Sequence, residues 1–99
     1  MKNYFCKLVG PRPIFGQDFS PEEIRLMQEH SAYLRTFAEK RQAVAFGPVA
    51  DPAGFYGIGL WELPDDADIQ AICAADPIVR AGIGYHYEIH PMPLLVTRS

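Results

Sequence analysis

The stretch Ser20-Pro21-Glu22-Glu23-Ile24-Arg25-Leu26-Met27-Gln28-Glu29-His30-Ser31-Ala32-Tyr33-Leu34-Arg35-Thr36-Phe37-Ala38-Glu39-Lys40 decides the fold. At about 100° per residue, Ile24, Met27, Ser31, Leu34 and Ala38 share one side of a helix, extended by Leu26, Tyr33 and Phe37. Arg25, Gln28, Glu29, Arg35, Glu39 and Lys40 take the opposite side. Ser20 as N-cap, Pro21 at N1 and Glu23 at N3 make a capping box, and Phe19 and Ile24 are placed for a hydrophobic staple. His30 falls inside the apolar arc, among Met27, Leu34 and Phe37. A buried polar group without a partner costs about 1–3 kcal/mol, so this imidazole requires one.

Strand patterns flank the helix. Lys2–Val9 alternates β-forming residues, and residues 10–19 make a loop stiffened by Pro11 and Pro13. Residues 42–49 form a second strand, stopped by Gly47-Pro48. After the turn signal Asp51-Pro52-Ala53-Gly54, residues 55–63 form a third strand, with Gly57 and Gly59 on one face. Two glycines there leave room for a side chain, a partner subunit or a ligand. Residues 64–75 read as a second helix with acidic residues in its first turn, closed by Asp76-Pro77. Residues 78–82 make a short extra turn, residues 84–90 a fourth strand, and residues 91–96 an extended tail.

The order β-α-β-β-α-β is the ferredoxin-like arrangement, an α+β fold with both helices on one face of a four-stranded antiparallel sheet. The other face is not reliably polar, and a sheet apolar on both faces needs a second cover. Dimerisation would supply it. The 99 residues are expected to form one domain, residues 1–99, with 48% hydrophobic content that excludes disorder. The N-terminus reads as a strand rather than a leader peptide, and no segment is long and apolar enough to span a membrane. A cytoplasmic location is expected. The net charge of −3 and the absence of basic clusters argue against nucleic-acid binding. Cys6 and Cys73 lack metal-ligand spacing and read as small, reduced core residues.

Several segments in order resemble the YCII-related domain family. They are Gly10-Pro11-Arg12-Pro13, Met27-Gln28-Glu29-His30 with Tyr33-Leu34, and residues 44–54. Gly57-Ile58-Gly59, Ala75-Asp76-Pro77 and Tyr87-Glu88-Ile89-His90-Pro91-Met92-Pro93 complete the set. The resemblance implies a subunit that dimerises as an α+β barrel. It also implies a pocket holding a histidine from the first helix and an aspartate from the Asp-Pro motif, which map to His30 and Asp76. Chemistry assigned within the family is the dehydrochlorination of a chlorinated hydroxyquinol by a His/Asp pair without a cofactor.

A carboxylate on one imidazole nitrogen fixes the tautomer and leaves the other free to move a proton. His30 and Asp76 are therefore the candidate catalytic pair, acting by general acid-base chemistry on a small molecule with no cofactor. The plain alternative is that Asp76 caps a turn and His30 bonds it across the core. Arg12 and Arg80 are the candidate substrate-binding cations, and Trp61, Phe15 and Tyr33 the candidate aromatic walls. Ser31 points about 100° from His30, which argues against a Ser-His dyad. His86, Glu88 and His90 share a strand face and suit a metal, but the expectation is that no metal is bound and that they line a polar face or the pocket. Two further readings stay open: a non-catalytic dimeric module that binds a metabolite or protein, and, by fold analogy alone, a cofactor-free oxygenase.

Overall fold

A computed structural model describes residues 1–13 and 18–98. The elements run β1 (Lys2–Val9), α1 (Pro21–Glu39), β2 (Ala43–Val49), β3 (Tyr56–Leu63), α2 (Ile69–Ala74), α3 (Pro77–Arg80) and β4 (His86–Met92). The sheet order is β2-β3-β1-β4, with every neighbouring pair antiparallel. The crossover through α1 sets β2 two places from β1, and β3, the second arm of the β2-β3 hairpin, fills the gap. This is the ferredoxin-like α+β arrangement expected from the element order.

The capping box of α1 forms: Ser20 Oγ accepts from Glu23 N at 3.1 Å and Glu23 Oε1 accepts from Ser20 N at 3.0 Å. The other end closes as a Schellman motif, with Arg41 N–H donating to Ala38 O and Gln42 N–H to Phe37 O. Arg41 takes the left-handed position, at φ 62°, where glycine is usual. The buried face differs from the one predicted. Glu23, Leu26 and Leu34 are buried, with His30, Tyr33 and Phe37 half-buried, whereas Ile24 is 49% exposed and Ala38 is exposed. A neutralised carboxylate occupies the core side at the start of the helix and turns Ile24 outward. Hydrophobicity alone gives no credit for that.

Two boundaries also moved. β2 keeps its expected end at Val49, with Gly47-Pro48 inside the strand because it is an edge, where proline is tolerated. β4, the opposite edge, begins at His86 and continues through Pro91 to Met92 for the same reason. The second helix starts only at Ile69, since Asp68 Oδ1 accepts from the N–H groups of Gln70 and Ala71 and takes the N-cap role. Residues 64–67 form a turn instead, closed by Ala67 N–H to Pro64 O.

The helices cover the sheet face that carries Cys6, Leu8, Trp61, Leu63 and Tyr85. One cluster joins Cys6, Trp61 and Leu63 to Leu34, Ile69 and Cys73; a second joins Leu8 and Tyr85 to Leu26 and Ile78. Leu63 and Ile78 are fully buried, each stabilising the fold by roughly 1.5–3 kcal/mol. Strand alternation puts Phe5, Tyr56, Ile58 and Leu60 on the other face, all half-buried. There Phe5 stacks on His90 and the Lys7 ammonium lies 4.3 Å from the Tyr56 ring centre.

Candidate active site

Asp76 owes its position to Pro77. The residue before proline is pushed out of the helical region, so α2 ends, Asp76 turns extended (φ −61°, ψ 129°) and becomes the N-cap of α3. Its Oδ1 accepts from Ile78 N–H at 3.1 Å. Its Oδ2 accepts from the Tyr87 hydroxyl at 2.6 Å and lies 2.7 Å from His30 Nδ1. Asp76 is fully buried, while the His30 side chain keeps 13% of its surface exposed. With an ionised carboxylate on Nδ1, that nitrogen donates, and the neutral ring carries its lone pair on Nε2. Burial, and then the adjacent Asp76 charge and hydrogen bond, push the Tyr87 phenol well above its ordinary range. Tyr87 therefore acts as a fixed donor.

His30 borders a cavity of about 500 Å³ between α1 and the sheet. Gly57 and Gly59 form part of its floor, with Phe46, Phe55, Trp61 and Tyr87 around them. The glycine pair thus opens space on the helix-covered face. Trp61 is 2% exposed and its Nε1 has no hydrogen-bond partner among the described residues. An unmet buried donor of this kind costs about 1–3 kcal/mol. Deeper in, the Cys6 and Cys73 sulfurs lie 4.0 Å apart as buried free thiols. The hydrogen bond to Cys6, reinforced by burial, holds the Cys73 thiol protonated.

A second buried carboxylate stands near the start of α1. Glu23 accepts both guanidinium nitrogens of Arg12, Nη1 at 3.1 Å and Nη2 at 2.7 Å, and Tyr85 Oη–H at 2.6 Å. The Arg12 guanidinium holds the Glu23 carboxyl down to about 2, aided by Ser20 N–H and the Tyr85 hydroxyl and opposed by burial. Gly84 makes the approach of this loop possible. It lies at φ +103°, and a Cβ there would meet Pro11 Cβ at 2.7 Å.

The candidate residues thus separate. His30 and Asp76 come together at one wall of the cavity. Arg12 is committed to Glu23 and Asp18, and Arg80 is exposed in the last turn of α3, outside the cavity lining. Trp61 lines the cavity; Tyr33 instead donates to Ile72 O at 2.6 Å and packs edge-on against Phe37. Phe15 lies outside the described residues. Ser31 lines the cavity beside His30, with no hydrogen bond between them among the described residues. His86, Glu88 and His90 are all exposed, and by strand alternation they project on the helix-free face, away from the cavity.

The profile of the YCII-related domain family matches residues 11–93. The chain belongs to that family. No curated protein matches it. The matched span of this YCII-related domain takes in both His30 and Asp76, along with Tyr85 and Tyr87. Sequence reading packed the two tyrosines on the inner strand face but gave them no part in the site, although a signal was present. Inward-facing phenols two residues apart on a buried strand face each need a polar partner.

Proposed function

We propose that this YCII-related domain is a dimeric, cytoplasmic, cofactor-independent enzyme that carries out proton transfer or elimination on a small molecule. His30 Nε2 is the general base or acid, and Asp76 holds the ring and stabilises the imidazolium. The observation that carries this reading is the 2.7 Å contact from Asp76 Oδ2 to His30 Nδ1 on a ring that borders an open cavity of about 500 Å³. A ring sealed on every side would have no access to substrate. Asp76 also has the support such a role needs, since Tyr87 and Ile78 N–H fix both its oxygens. The half-buried apolar residues of the helix-free face support the dimer.

The test is a thermal-shift screen of small phenols, quinols and carbonyl compounds on the wild type and on His30→Ala. Turnover assays on every hit follow. Turnover lost in His30→Ala with binding retained supports the enzyme. Equal binding by both proteins with no turnover assigns the cavity to a non-catalytic module. Sedimentation velocity of the wild type and of Ile58→Glu tests the dimer, which the charge on the helix-free face should dissociate.

A further inference from the structure

Two of the polar groups that border the cavity are already spent. The Tyr85 and Tyr87 side chains line it, but their hydroxyls donate to Glu23 and Asp76. No Asp or Glu is among the described lining residues, and Arg35 is the one Lys or Arg. Unlike Arg12, which is held by Glu23 and Asp18, Arg35 takes part in no ion pair among the described residues. Glu39 stands four residues on, the spacing at which Arg25 meets Glu29 at 2.6 Å, and Arg35 leaves it unpaired. Ser31 lines the same cavity, and its hydroxyl makes no hydrogen bond among the described residues.

The helix brings these two free groups together. Ser31 and Arg35 are one turn apart and share a face of α1. Long side chains on a helix lean toward its N-terminus, which carries the guanidinium back over Ser31, the residue after His30. Both residues also border the shallow apolar groove on the outer flank of α1, so they stand at the cavity mouth rather than its floor. Inside, Phe46 and Phe55 present aromatic surface beside Gly57 and Gly59. The lining is therefore divided, with an apolar interior and a single cation and hydroxyl at the rim. A guanidinium fork matches the two oxygens of a carboxylate. Arg35 is exposed, so an anion paired with it keeps part of its water, while an attached ring loses its own to the aromatic walls.

We propose that Arg35, with Ser31 beside it, holds the carboxylate of a flat ring compound at the cavity mouth, with the ring inside against Phe46 and Phe55. The proposal rests on reading the cavity as the substrate site and adds the substrate class, a ring carboxylate whose ring is presented to His30. Neither Arg12 nor Arg80 serves this role: the first is committed to carboxylates of its own, and the second lies outside the lining.

The probes are 4-acetylbenzoate and 4-acetylbenzamide, which share ring and size and differ in charge. Binding to the full chain, labelled with nitrogen-15, is followed by amide shifts. At low salt the wild type should bind the carboxylate about fivefold more tightly than the amide, and both should move the Gly57 and Gly59 amides. Arg35→Met alters an exposed side chain and should keep the fold while erasing the preference. Ser31→Ala should reduce the preference without erasing it. Arg25→Met removes an equal charge elsewhere on α1 and should leave the preference unchanged. Equal affinities for the two probes, no binding of the carboxylate, an undiminished preference in Arg35→Met or Ser31→Ala, or an equal loss in Arg25→Met overturns the proposal. Exchange of the acetyl methyl protons in D2O, compared between wild type and His30→Ala, tests the acid-base reading separately. An Arg35-dependent preference without His30-dependent exchange keeps the carboxylate site and refutes the base; exchange without the preference does the reverse.

Discussion

Glu23 and Asp76 are both buried carboxylates on the helix-covered side, and each accepts a tyrosine hydroxyl at 2.6 Å. The two tyrosines, Tyr85 and Tyr87, lie two residues apart and point to the same face. Both carboxylates also cap a helix: Glu23 accepts from Ser20 N–H in the capping box of α1, and Asp76 from Ile78 N–H at the start of α3. The cation is what differs. Arg12 is charged at every ordinary pH and meets Glu23 with two parallel hydrogen bonds. That centre is closed: every group in it is satisfied, and none has a proton to exchange near neutrality. His30 meets Asp76 through Nδ1, on a ring that borders the cavity. The same kind of anion, backed by the same kind of donor, meets a guanidinium in one place and an imidazole that borders a cavity in the other.

Neutralising each carboxylate should separate the two roles most strongly. Asp76→Asn should lower turnover on a substrate found by the screen by at least about a hundredfold, because the imidazolium loses its counter-charge and the ring its tautomer. Glu23→Gln should leave turnover within a few fold. Steady-state kinetics on both variants decides this, and similar losses in the two would break the comparison.

Stability should rank them the other way. Glu23→Gln leaves the Arg12 guanidinium without its counter-charge and weakens the cap of α1. It should cost about 2 kcal/mol, or roughly 10 °C in Tm. Calorimetry measures it.

Acid should act on the same centre. The folded Glu23 carboxyl lies at about 2 against an ordinary 4.5. Its contribution is therefore fully present above about pH 4.5 and is lost as pH falls toward 2. The urea midpoint of the wild type should drop across that window. In Glu23→Gln the drop should be shallower, and equal slopes would mean that another group controls acid unfolding.

The tyrosines give the smallest and sharpest contrast. Tyr85→Phe and Tyr87→Phe should each cost about 1 kcal/mol by denaturant titration. Only Tyr87→Phe should also reduce turnover, by a few fold, since only Tyr87 touches the carboxylate that orients His30.

Much of this arrangement was legible in the chain. Ser20, Pro21 and Glu23 announce the start of α1, and Asp76-Pro77 announces the break that frees an aspartate. Both are contacts between residues close in sequence. Pairing His30 with Asp76 took family resemblance, because 46 residues separate them and no spacing rule spans that distance. The partner of Arg12 was hidden for a related reason. Its partner lies 11 residues away, and whether a loop arginine faces solvent, ligand or a buried glutamate depends on how closely Gly84 lets the loop approach. The interruption at Gly47-Pro48 marked the end of a strand only as long as the edge position of β2 was unknown.

By itself the sequence determined the order of elements, the caps that begin α1 and α3, and the presence of one histidine that demanded a partner. These follow from local backbone preferences and from hydrophobic periodicity, which act over a few residues. Tertiary structure alone decided which carboxylate met a guanidinium and which an imidazole, where the glycine floor opened into a cavity, and that the Trp61 N–H has no acceptor among the described residues. Each of those outcomes depends on side chains brought together from distant strands and helices. Their charge and hydrogen-bond balance is settled only when packing has fixed the distances.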